Sequence, residues 1–171
     1  MILMMAVTLL LLATLALLIN NYIMKRKLSV AFLVMLGIYH LQLVSRTLMS
    51  VWEAYKIDAL ITRSAWIILP IALFVMYIVF LVVNKFAKAV NAVFISAIVY
   101  TIICLAQFAN TAIPTLTLLR FRMGMGGVRI AYIVTGMRML NSFLPVAIGV
   151  ALAVHALQRK QMNANAVTTR A

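Results

Sequence analysis

Apolar residues in this chain come in five long runs separated by short polar clusters, and each run exceeds what the core helix of a soluble domain needs. The first, Ile2 to Met24, carries no charge. At 1.5 Å per residue its 23 residues extend about 34 Å, enough to cross a hydrocarbon layer of about 30 Å. Lys25, Arg26 and Lys27 close it. A cleaved signal peptide has its basic cluster in front and a small-residue cleavage site behind, whereas here the cluster follows Ile19, Asn20, Asn21 and Tyr22. The run is expected to be a retained anchor.

The second run, Leu28 to about Ser50, is apolar in its first half and carries His40, Gln42, Ser45 and Arg46 in its second. A polar segment with Glu53, Lys56, Asp58 and Arg63 follows. The third run is Ser64 to Asn84, ended by Lys85 and Lys88, with Pro70 near its start, where a missing N–H does least harm. The fourth runs from Ala89 to Ile113 and is expected to stop at Pro114, which biases its predecessor away from helical geometry. An arginine-rich segment, Leu119 to Arg138, precedes the fifth run, Met139 to Leu157, in which Pro145 predicts a kink. Arg159 and Lys160 close that run, and residues 161–171 form a polar tail expected to fray. The pattern contains no fixed-period repeat and no linker long enough to separate domains. It predicts an all-α, polytopic membrane bundle of about five transmembrane helices over residues 1–160.

Composition removes the soluble alternative: 67% of residues are hydrophobic, 10% are charged, and mean hydropathy is +1.15. Charge then raises a problem. Net charge is +13, and beyond Asp58 there is no carboxylate side chain at all, although ten Lys and Arg residues follow. An unpaired guanidinium at a membrane helix centre costs roughly 2.5 to 3.5 kcal/mol, so these cations must reach water or an anion from elsewhere. Short-loop Lys and Arg set orientation. An outside N-terminus gives the cytoplasm eight cations: Lys25, Arg26, Lys27, Lys85, Lys88, Arg159, Lys160 and Arg170. Lys56, Arg63, Arg120, Arg122 and Arg129 fall outside, with Arg138 at the boundary. The arginine-rich segment therefore sits on the side that the rule leaves poor in arginine.

For that segment the plain reading is interfacial snorkelling of Arg120, Arg122 and Arg129 onto lipid headgroups. A sharper one lets Gly124, Gly126 and Gly127 expose backbone N–H groups to a phosphate or carboxylate, with a helix starting near Val128 adding its positive end and Arg129 and Arg138 completing the site. "GMGGVR" lacks the Gly-Lys-Ser/Thr ending of a P-loop, and a dinucleotide fingerprint needs glycine where Arg129 stands. A nucleic-acid backbone is a candidate anion only if the segment faces a virion interior or the cytoplasm. Small residues on the last helix, Gly149 with Ala153 and Ala147 with Ala151, serve close helix packing within the bundle or against a second copy.

Two polar stripes fall on helical faces: Gln42, Arg46, Ser50 and Glu53 in the second run, and Ser96, Tyr100, Cys104, Gln107 and Thr111 in the fourth. They are either interhelical hydrogen-bond glue or, facing each other, the lining of a polar path. Catalytic chemistry has little to work with. Glu53 and Asp58 are the only carboxylates, and on a helix they would point about 140° apart. His40 and His155 lie on different runs as packing residues or lone proton-transfer candidates, and the single Cys104 permits no internal disulfide or Cys/His zinc pattern. The pairs Met123/Met125 and Met137/Met139 resemble soft-metal ligands, but flanking arginines oppose a cation, so no metal or cofactor is expected. The expected function is a structural or accessory membrane subunit that assembles with copies or partners and docks its basic segment on anionic lipid or another acidic partner. An oligomeric channel or small carrier is the alternative. The expected location is a bacterial-type inner membrane or a viral or organellar membrane.

Overall fold

The structure, a computed structural model, describes the backbone of residues 2–55, 64–86, 90–123 and 129–168 and the side chains of 2–49, 67–85, 91–117 and 132–162. Among these residues there are five α-helices and no strand: α1 (Ile2–Ile23), α2 (Val30–Tyr55), α3 (Ser64–Phe86), α4 (Val90–Met123) and α5 (Arg129–Thr168). All five are long and apolar enough to cross a membrane.

Packing uses one stripe of each helix. In α1 the buried residues are Val7, Thr8, Leu11, Thr14, Leu18 and Asn21, recurring every three or four positions, while Leu9, Leu12, Ile19 and Ile23 point outward. The same division holds elsewhere: Ile68, Ile95, Ile102 and Ile133 are each more than half exposed. An exterior this apolar is consistent with a membrane protein.

Each helix packs on its neighbours in sequence, and α1 also packs on α5, so the bundle closes into a ring. Thr8 meets Asn141 and Arg26 meets His155, so α1 and α5 run the same way. Thr101 faces Gly149 and Phe108 faces Phe143, so α4 and α5 run oppositely. Asn84 of α3 meets Arg159 of α5, which puts the ends of α1, α3 and α5 together. Lys25, Arg26, Lys27, Lys85, Arg159 and Lys160 consequently gather at one end of the bundle.

Two expected boundaries are corrected. The fourth helix does not stop at Pro114 but continues to Met123. Proline deletes one backbone donor, and in apolar surroundings unwinding the next turn would strand more groups than that. The helix expected to start near Val128 begins at Arg129 and is continuous with the fifth run, so that α5 passes Met139, Pro145 and the expected tail boundary to end at Thr168. The arginine-rich segment is thus two helix ends, with the glycine-rich connection 124–128 outside the described residues.

The turn between α1 and α2 is the best-defined connection. Arg26 N–H donates to the Asn21 carbonyl and Lys25 N–H to the Tyr22 carbonyl, the paired bonds of a Schellman cap, with Lys25 left-handed at φ 50° where glycine is usual. Ser29 then caps α2, its Oγ accepting from Phe32 N–H at 3.3 Å. Replacing Lys25 with glycine is expected to relieve the left-handed strain and raise stability by about 1 kcal/mol in a detergent unfolding titration. An unchanged midpoint would mean that the lysine is unstrained there.

Candidate functional site

Within an apolar core drawn from all five helices, an imidazole is buried among phenols of α2, α3 and α4. On α2, successive residues turn about 100°, and Phe32, Leu36, Tyr39, His40 and Thr47 fall on the inward side. His40 is fully buried. Its Nδ1 lies 2.7 Å from the Leu36 carbonyl, which can only accept, so Nδ1 carries the proton. Nε2 is then free to accept from the Tyr100 hydroxyl, 3.2 Å away on α4. The Tyr77 ring of α3 stacks on the imidazole, centroids 4.8 Å apart and planes 7° from parallel, and its hydroxyl donates to the Leu33 carbonyl at 2.7 Å. Tyr39 meets the imidazole edge-on, and Cys104 lies beside Tyr100. Three helices are therefore joined at one buried ring, and each phenolic proton of Tyr77 and Tyr100 has an acceptor.

Most other buried hydroxyls bond within their own helix: Thr14 to the Leu10 carbonyl, Thr47 to Leu43, Ser96 to Val93 and Thr101 to Ala97. That pattern is packing chemistry in an apolar medium. Asn141 is different, because its amide nitrogen donates to the Met4 carbonyl while its oxygen lies 2.7 Å from the Thr8 hydroxyl, fastening α5 to the first turns of α1. His155 Nε2 donates to the Arg26 carbonyl at 2.9 Å and ties the α1–α2 turn to α5.

The described parts of the two polar stripes are placed differently. Ser96, Tyr100 and Cys104 are buried, but the α2 residue that reaches Tyr100 is His40. Gln42 lies about 200° around the helix from His40, and Arg46 is exposed. Side chains of Ser50 and Glu53 lie outside the described residues. Further along α4, Thr111 bonds back to the Gln107 carbonyl, and the buried amide atoms Gln107 Oε1 and Asn110 Nδ2 have no hydrogen-bond partner.

Of the arginine-rich segment, Arg138 is exposed on α5. The side chains of Arg120, Arg122 and Arg129, and Gly124, Gly126 and Gly127 altogether, lie outside the described residues. Among the described residues no group of three or more His, Cys, Asp or Glu side chains lies together. Sequence reasoning missed Tyr39, Tyr77 and the Asn141 clamp; the available signal was a tyrosine or amide inside an otherwise apolar run.

The geometry defines an all-α bundle of five membrane-length helices with a polar aromatic centre. Comparison with known proteins returned no matching family model, no matching curated protein and no matching solved structure.

Proposed function

We propose that the chain is a non-enzymatic integral membrane subunit that assembles with copies of itself or with partner membrane proteins. The observation that carries this reading is the contrast between centre and exterior. Apolar side chains of all five helices close the interior, with His40, Tyr77 and Tyr100 buried among them on α2, α3 and α4, while large apolar residues also cover the outward faces. Such a bundle offers its surface, not its axis, to other molecules. The N-terminus lies outside and the end bearing Lys25, Arg26, Lys27, Lys85 and Lys160 faces the cytoplasm, as short-loop cations favour. Arg120, Arg122, Arg129 and Arg138 dock on anionic lipid, an acidic protein face or another phosphate-bearing partner.

A channel or small carrier for an ion or small anion is favoured by one observation, the unpartnered buried amides of Gln107 and Asn110. One preparation separates the two readings. Purified in mild detergent, the protein is expected to run as a defined oligomer or with a stable partner, and Arg120→Gln, Arg122→Gln and Arg129→Gln together are expected to reduce that association at least about ten-fold. A monomer unaffected by these changes, together with solute flux in liposomes that Gln107→Leu abolishes, would replace the subunit by a carrier.

A further inference from the structure

A lateral groove of about 470 Å³ runs between α1 and α5, lined on one side by Leu18, Ile19 and Tyr22 and on the other by residues from Phe143 to Val154. The bottom of the groove is open because Ala147 and Ala151 present only methyl groups to it. Gly149 and Ala153 lie on a different face of α5, where Gly149 abuts Thr101. The two small-residue pairs therefore lie on separate faces, and of the first pair Ala151 borders both the groove and the core.

At the end of the groove, chemistry changes abruptly. Tyr22 stands in the last turn of α1, and Lys25 follows it three residues later in the turn that ends the helix. Lys25, Arg26 and Lys27 are all exposed. They are also held in place: the Schellman bonds fix the turn, Asn21 reaches Ser29 at 3.3 Å, and His155, next after the groove residue Val154, grips the Arg26 carbonyl. From Phe143 to Val154 the groove extends about 17 Å, a little over half of a hydrocarbon layer of about 30 Å. A partner transmembrane helix needs the full thickness, whereas a lipid chain needs one leaflet.

We propose that the α1/α5 groove binds an acyl chain of an anionic phospholipid whose phosphate is held by the Lys25–Lys27 turn. The inference rests on the membrane-embedded reading above but not on the arginine-rich segment, which belongs to the opposite end of the bundle. Cations at one end of an apolar slot complement an anionic headgroup on an apolar tail, and the tyrosine at their junction suits the interfacial depth.

The test uses the full chain in phosphatidylcholine vesicles carrying trace spin-labelled phosphatidylglycerol or spin-labelled phosphatidylcholine, read by electron spin resonance. The wild type is expected to immobilise phosphatidylglycerol at least about five-fold more strongly, a preference that falls as salt rises. Lys25→Gln, Arg26→Gln and Lys27→Gln together, all on exposed side chains, are expected to equalise the two lipids. Ala151→Phe is expected to lower the immobilised fraction by filling the slot. Equal immobilisation by the wild type, or a preference that survives the triple change, overturns the proposal. So does an oligomer lost on Ala151→Phe without lipid selectivity, which would give the groove to a second copy. Failure of the membrane reading itself looks different: the protein would leave the vesicles in an alkaline carbonate wash.

Discussion

Replacing Gly149 with leucine is expected to cost about 3 kcal/mol of unfolding free energy in micelles, the upper part of the usual range for overpacking a tight interface. A single Cβ at this position would already lie 2.6 Å from Thr101 Oγ1 and 3.1 Å from Thr101 Cα. The first neighbour has little room to swing away, because its hydroxyl is committed to the Ala97 carbonyl at 2.7 Å, and the second is backbone. Relief must therefore come from separating α4 and α5. Alanine at Gly149 should cost less, about 1 kcal/mol, and Thr101→Ala in the same chain should recover only part of it, since the Thr101 backbone still stands in the way. Gly136 provides the control on the same helix. A Cβ there meets nothing within 4 Å, so Gly136→Ala should be neutral or stabilising by up to about 1 kcal/mol through helix propensity alone. A Gly149→Leu protein that unfolds with the wild type would mean that α4 and α5 do not pack at this distance.

The small-residue spacing around Gly149 was legible in the sequence, but its partner was not, because spacing records which face is thin and not what approaches it. The five helices were legible for a stronger reason: apolar runs of membrane length, bounded by Lys and Arg, leave one economical reading. Their ends were less so. Pro114 reads as a stop by local rules, yet those rules weigh water-exposed alternatives, and α4 is apolar on both sides of the proline. The same bias hid the first part of the arginine-rich segment, which is the end of α4, whereas the helix start near Val128 was legible and falls at Arg129. At the centre, the α4 stripe was readable from its periodicity. Its α2 partner was not readable in the same way, since Gln42 and Arg46 form a regular pattern while His40 stands alone in sequence. Tyr77 and Tyr100 are 37 and 60 residues from His40, and no local pattern relates positions that only the ring brings together.

Substituting His40 with leucine is expected to lower stability by about 2 kcal/mol, combining the loss of a buried phenol's better acceptor with a lost ring stack. The size of leucine keeps the cavity small, so the loss reports mainly on polar interactions. Tyr100 donates its proton to His40 Nε2 and would lose that acceptor, keeping only the weakly accepting Cys104 sulfur beside it. Tyr77 would keep its bond to the Leu33 carbonyl but lose the imidazole face against which it is stacked. Tyr100→Phe removes the other partner, leaving Nε2 as a buried acceptor without a donor. Combining His40→Leu with Tyr100→Phe leaves neither group stranded, so the double change should cost less than its two parts together, by about 1 kcal/mol. A coupling of zero would mean that the hydroxyl and the imidazole do not meet. Should His40 instead carry protons across the bundle, the pattern inverts: His40→Leu would abolish proton flux in liposomes while leaving the unfolding midpoint in place. The imidazole proton on Nδ1 is bound to a carbonyl of its own helix, which cannot pass it on, so the structural outcome is the expected one.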